Sequence, residues 1–287
     1  MIQIKKIGKQ KTLAREVTLQ GINPFKPSQT VTMKVKPSTG YIKFHFNRYV
    51  VPVNYLHLQN TNDEHTTNIG NDKVIIKSVE HFLSAISGLG IDAYEVYLKG
   101  GDCLPFFDAS AENYYKLLHK AGIKNTQEDC QMAIVTETIF FSDNKGSLAI
   151  LQPADHFSIS ALIQFPEPVG EQYYSFDPQK EQYFQIAKAR SFIRASCDEN
   201  YWEMARTKIP VLPKKIEKSP LIVFKDGQWI IPPREPLECV KHKILDAMGD
   251  LVILGLPIQA KITLIRPGHE FNRKLVSYLG NLINQKL

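Results

Sequence analysis

The chain has 287 residues, 43% of them hydrophobic and 22% charged, with a formal net charge of +6. This is the composition of a soluble globular protein with room for one large domain or two ordinary ones, and it excludes a disordered chain. The charges intermix rather than forming a basic tail, which points to an anionic small ligand and away from nucleic acid. The N-terminus, MIQIKKIGKQ, lacks the apolar stretch of a secretory signal, and the longest apolar run, LVILGLPI at 251–258, is too short to span a bilayer. Four separated cysteines (Cys103, Cys130, Cys197, Cys239) form no CxxC pair. The expectation is a cytoplasmic protein with reduced thiols, neither a disulfide framework nor a thiolate zinc site.

In chain order, TVTMKVKP at 30–37 and GYIKFHFNRYVVPV at 40–53 alternate with period two and predict antiparallel strands covered on one face. DKVIIKS at 72–78 predicts a short strand running into a helix from about Ser78 to Ser87, stopped by Gly88 and Gly90. AYEVYLKG predicts a strand, and SAENYYKLLHKAGI a helix with Ser110 as N-cap and Gly122 past its end. Around KNTQEDC, 124–130, the pattern relaxes, and strands resume in MAIVTETIFF, GSLAILQP and FSISALIQF. A helix near 179–190, an irregular Pro- and Lys-rich section at 208–236, a long helix from about Leu237 to Gly255, the strand QAKITLIRPG and a final helix in NRKLVSYLGNLIN complete the chain. The expected architecture is α+β: two similar halves, residues 1–126 and 127–287, each a sheet layered with two main helices, with a site between them.

The stretch CVKHKILDAMGD places His242, Asp246 and Asp250 at four-residue steps along the predicted helix. Leu237, Val240, Ile244, Met248 and Leu251 form its apolar stripe, with His242 and Asp246 neighbours on the other side. Taken alone, HxxxD is more often a surface pair worth a few tenths of a kcal/mol. It is also how a helix offers two ligands to one metal ion. On the earlier helix, Val79, Phe82, Leu83 and Ile86 make the buried stripe and leave Glu80 and His81 in the first turn. A glutamate there is favoured by the helix dipole without any catalytic role. His269 follows a Pro-Gly turn between a strand and a helix, a place where side chains project freely. His45, His57, His65, His119 and His156 have no comparable neighbours and read as structural or exposed.

Together, SVEHFLSAISGLGID, PFFDASAENYYKLLHKAGI, AKARSF, VKHKILDAMGDL and PGHEFNRKL closely resemble the UDP-3-O-acyl-N-acetylglucosamine deacetylases, the zinc amidohydrolases that commit bacteria to lipid A synthesis. The resemblance runs in order over most of the chain. It implies a zinc site from His81, His242 and Asp246, whose donor set also accepts Fe2+. It implies Glu80 as general base, His269 as the acid or electrostatic partner of the tetrahedral intermediate, and Asp250 as the group orienting His269. Ser191 stands where the family has a hydroxyl that supports the oxyanion, and Lys243 and Phe192 fall at substrate-binding positions. Lys243 reads equally as an ordinary surface lysine.

Two stretches depart from the family pattern. LQGINPFKPSQTVTM stands where the family has a Gly-Leu-His-Thr-Gly turn, and after ARSF a run containing Ile193, Pro210 and Pro213 replaces a glycine-rich segment that forms an acyl tunnel. The expected substrate is therefore an N-acetylated amino sugar, with or without a linked nucleotide. The family's acylated sugar and a smaller sugar without a long acyl chain both stand open. A non-catalytic sugar-binding protein on the same scaffold is a third reading, set against the presence of every residue of the implied chemistry. Lys214, Lys215 and Lys218 read as a solvated loop, and neither nucleic-acid binding nor stable membrane insertion is expected. The oligomeric state is not legible.

Overall fold

The computed structural model of the protein describes residues 2–59, 65–195 and 200–285; Cys197 lies outside them. The first half contains β1 (Ile2–Leu13), β2 (Val17–Ile22), β3 (Thr30–Pro37), β4 (Lys43–Phe46), β5 (Tyr49–Pro52), β6 (Ile69–Asn71), β7 (Val74–Ile76), α1 (Glu80–Gly88), β8 (Tyr94–Lys99) and α2 (Glu112–Ala121). The second contains β9 (Ile123–Val135), β10 (Ile139–Ser142), β11 (Leu148–Gln152), β12 (Ser158–Gln164), β13 (Glu171–Phe176), α3 (Phe184–Ala187), β14 (Phe192–Arg194), α4 (Tyr201–Lys208), β15 (Ile222–Lys225), β16 (Gln228–Ile231), α5 (Glu238–Val252), β17 (Ile258–Gln259), β18 (Lys261–Ile265) and α6 (His269–Asn284).

The halves repeat one topology. One five-stranded sheet is ordered β2-β3-β8-β4-β5, the other β10-β11-β18-β12-β13. In each, a late strand enters between two hairpins. β8 is antiparallel to β3 and parallel to β4, and β18 is antiparallel to β11 and parallel to β12. In each, one helix precedes that strand and another follows it: α1 and α2 around β8, α5 and α6 around β18. The fold is α+β. Residue 126 lies inside β9, which pairs with β1 on one side and β17 on the other, so we place the junction of the halves along this strand.

Alternation explains the sheets. Val31, Met33 and Val35 of β3 turn inward while Thr32, Lys34 and Lys36 face out, and Tyr94, Val96 and Leu98 of β8 do the same. One hydrophobic core takes in Phe44 and Val96 from the first sheet, Phe82 and Leu83 from α1, Leu245 and Met248 from α5, and Ala161 and Leu264 from the second sheet. The β1–β9 ribbon escaped sequence reading because its middle leaves the core: residues 5–9 and 124–129 are almost all exposed, and Lys9 and Lys6 pair with Asp129 at 2.7 and 3.4 Å. Without a buried face there is no apolar alternation to read.

Other expectations change. The helix near 179–190 shrinks to the single turn of α3, because the chain beyond Lys188 turns its backbone groups toward α5. The irregular section at 208–236 contains the hairpin β15–β16, closed by Asp226 and Gly227 at φ 49° and 77°, a DG turn. Leu237 stands outside α5 in the left-handed region, 37% exposed, and is not part of an apolar stripe. α5 is buried on almost every side, since its polar face meets α1 as its apolar face meets the second sheet.

α1 and α5 cross at Gly249. A Cβ built there would stand 2.0 Å from the Glu80 carbonyl oxygen, closer than any side chain tolerates. Glycine inside a helix costs about 1 kcal/mol, and here it lets the two helices touch backbone to backbone. Gly249→Ala is expected to force them apart at a cost of ~1–3 kcal/mol. Calorimetry should record a fall in Tm of roughly 2–10 °C; an unchanged Tm would contradict the close crossing.

Candidate metal centre and its cavity

The crossing brings together residues that the chain separates. Glu80 and His81 open α1, His242 and Asp246 sit one turn apart on α5, and His269 opens α6 after Gly268. His242 Nε2 lies 3.3 Å from Asp246 Oδ1 and His81 Nε2 3.5 Å from the same oxygen. The two imidazoles meet edge to face, with centroids 5.1 Å apart. One donor atom from each of His81, His242 and Asp246 falls within 4.8 Å of the others.

These residues fit a metal ion on two observations. Asp246 Oδ1 is buried and has no hydrogen-bond partner among the described residues, and such a group normally finds one. His242 Nδ1 lies 3.0 Å from the Ala189 carbonyl oxygen, which can only accept, so the ring hydrogen is on Nδ1 and the Nε2 lone pair faces the cluster. Burial pushes the His242 pKa down to about 3, so the imidazole is neutral, as a ligand must be. Burial also disfavours the Asp246 carboxylate, but the charges of Lys243 and His269 hold its pKa well below the usual range. Lys243 Nζ is 3.0 Å from Asp246 Oδ2.

Glu80 and His269 are linked through Thr67. Glu80 Oε2 accepts from the Thr67 backbone N–H at 2.9 Å, and Thr67 Oγ1 lies 3.2 Å from His269 Nδ1. His269 Nδ1 is also 3.3 Å from Asp250 Oδ2, which accepts from Asn272 Nδ2 at 2.8 Å. Burial raises the Glu80 pKa against the pull of His269 and His81. It works against charge on His269 too, yet Asp246 and Asp250 raise that group to about 9. His269 Nε2 faces Asp246 Oδ2 at 3.5 Å.

Ser191 Oγ lies 3.0 Å from His242 Nε2 and 3.2 Å from the Ala109 carbonyl oxygen, so its one proton turns between two acceptors. The Phe192 ring meets His242 edge-on at 6.5 Å, with Lys243 Nζ 5.3 Å from its centre. Eight of the nine site residues expected from sequence line one cavity of about 1010 Å³; Asp250 stands behind His269. Away from the donor cluster the cavity lining includes the apolar side chains of Phe25, Phe106, Ile209, Leu212 and Leu221, together with the basic residues Arg194 and Lys208. The two stretches that depart from the family pattern meet beside this lining, where Val211 N–H donates to the Pro24 carbonyl at 3.1 Å.

Sequence reasoning missed Thr67, Asn272 and the Ala189 carbonyl, which act through hydrogen bonds that no spacing rule announces. His65, read as unremarkable, lines the cavity. His45 pairs with Glu95 at 3.3 Å and His156 with Asp177 at 3.1 Å, both outside it. Cys103, Cys130 and Cys239 are buried free thiols, with burial pushing Cys103 and Cys239 up to about 12 and Cys130 to about 11.

Fold and site together define a class: an α+β protein of two similar halves whose cavity is lined by three donor residues that could hold a metal ion, where a structural site would close with a fourth ligand. Comparison with known proteins identifies the family. Residues 10–281 match the LpxC family, UDP-3-O-acyl N-acetylglycosamine deacetylase. The UDP-3-O-acyl-N-acetylglucosamine deacetylase of Myxococcus xanthus is 31% identical over 274 residues, covering 93% of this chain and 85% of the relative. The enzyme of the same name from Aquifex aeolicus is 30% identical over 285 residues, covering 98% and 95%, and that of Campylobacter hominis 30% over 273, covering 93% and 90%. The chain belongs to this family and is an enzyme, a deacetylase hydrolysing an amide.

His242→Ala removes a donor whose geometry is set by two neighbours. Zinc affinity, read by competition against a chelator, is expected to fall by more than about a hundredfold. Stoichiometric zinc retained at wild-type affinity would reject His242 as a ligand.

Proposed function

We propose that the protein is a zinc-dependent N-deacetylase that releases acetate from an acylated, nucleotide-linked N-acetylglucosamine, the substrate in its relatives' names. The observation that carries this reading is the continuity of one cavity, lined both by the His81–His242–Asp246 set with Glu80 and by apolar side chains such as Phe25, Phe106, Ile209 and Leu212. A sugar with an acyl chain fills both parts. A smaller sugar leaves the apolar side chains uncovered, so the lining favours the acylated substrate. A binding protein without catalysis gains nothing from burying Glu80 beside the donor set.

His81, His242 and Asp246 would hold the metal, whose contribution is Lewis acidity toward water and the acetamide carbonyl; Fe2+ suits the same donors. Thr67 N–H fixes Glu80 Oε2 and leaves Oε1 to take the proton of the attacking water. The water oxygen bonds to the carbonyl carbon, and Ser191 turns its hydroxyl toward the oxygen that gains charge. His269, held at Nδ1 by Asp250 and Thr67, presents Nε2 to the cavity and protonates the amine nitrogen as the C–N bond breaks. The products are acetate and the free amine. Lys243 and Phe192, stacked beside the donors, contact the anionic and apolar parts of the substrate. The chemistry is that of a cytoplasmic enzyme using an activated sugar.

Glu80→Ala is expected to keep metal affinity and to lose about 10²–10⁴-fold in kcat; an undiminished kcat removes Glu80 from the base role. Acetate release is expected from the acylated UDP-sugar and to fall sharply with UDP-N-acetylglucosamine or free N-acetylglucosamine. Equal turnover of all three overturns the acylated substrate.

A further inference from the structure

Arg190 and Glu238 form a second buried charge cluster, one helical turn before His242. Arg190 is 5% exposed and Glu238 1%. Glu238 Oε1 accepts from the Arg190 backbone N–H at 3.0 Å and from Nε at 2.9 Å. Its Oε2 accepts from Arg190 Nη2 at 3.2 Å and from the Arg234 backbone N–H. The guanidinium also donates to the carbonyls of Pro220 and Pro232, at 3.4 and 3.1 Å. One ion pair thus ties the first residue of α5 to residues 189–191 and to the chain entering β15 and leaving β16.

Both ends of the strip 189–191 rest on His242. The Ala189 carbonyl takes the Nδ1 hydrogen and Ser191 Oγ meets Nε2, each at 3.0 Å. Glu238, four residues before His242, shares its face of α5. The carboxylate therefore grips, on one helical face, the backbone that fixes the imidazole on the next turn. Burying two charges is a poor route to net stability, since desolvation offsets much of their attraction. What a forked guanidinium on a carboxylate supplies is direction, with several N–H groups held in one plane.

We propose that the Arg190–Glu238 pair is a positioning device for His242: it holds the Ala189 carbonyl against Nδ1, keeps the tautomer whose Nε2 lone pair faces Asp246 and His81, and so sets metal affinity. This rests on the reading of His242 as a metal ligand. Arg190 and Glu238 touch neither metal nor substrate and act through the strip alone.

The test compares the whole chain with Glu238→Gln, which keeps shape and removes charge, and Arg190→Lys, which keeps charge and removes the fork. Two quantities are read: zinc affinity per folded molecule by chelator competition, and the His242 tautomer in the metal-free protein by imidazole nitrogen NMR. Glu238→Gln is expected to weaken zinc about 10–100-fold and to populate the tautomer with hydrogen on Nε2, with a smaller loss for Arg190→Lys. Zinc affinity within about twofold of wild type and an unchanged tautomer in both variants would reduce the pair to a structural role and overturn the proposal. Should Glu238→Gln fail to fold, Arg190→Lys decides on the same two readouts. Should the wild type bind no zinc, the ligand reading fails, and the tautomer alone still decides the role of the pair.

Discussion

Contact between α1 and α5 without side chains between them is the constraint on which this structure depends. Gly249 lets the α5 backbone reach the Glu80 carbonyl, so the first turn of α1 is positioned by main chain against main chain. That places His81, beside Glu80, within reach of Asp246, one turn before Gly249. Donors from two helices can hold one metal ion only with little positional error, because they must converge on one point. Backbone contact is the stiffest way to hold that convergence.

The duplicated topology gives the crossing its symmetry. α1 and α5 occupy equivalent places, each leading into the strand that enters the middle of its own sheet. Each half contributes its helix to a shared core, and the polar residues of both helices are left facing one another. Neither half carries the full donor set: His81 belongs to the first, His242 and Asp246 to the second.

Buried charge is managed in two layers. Around the donors, Lys243 and His269 compensate Asp246, while His242 remains neutral. Behind them, Arg190 directs both oxygens of Glu238, and Asn272 directs Oδ2 of Asp250. Groups so deeply desolvated are held where their partners are, so the outer layer transmits position to the inner one.

How much was legible follows from which signals are local. The strands β3, β4, β8, β11 and β12 announce themselves by alternation, and α1, α2, α5 and α6 by period, with terminal glycines at the ends of α1, α2 and α5, because one face of each meets a core. β1 and the middle of β9 lack such a face, and α3 ends where its backbone is drawn toward α5; neither effect is written in a window of ten residues. By itself the sequence determined the α+β class, the pairing of His242 with Asp246 one turn apart, and, by its motifs, membership of a deacetylase family. The resemblance implied that His81 joins that pair; only the tertiary structure decided the distances at which it does so, that Thr67 joins Glu80 to His269, and that the two divergent segments meet beside the cavity. These are contacts between residues up to 202 positions apart, and they arise from the packing of two helices and two sheets, which no local pattern encodes.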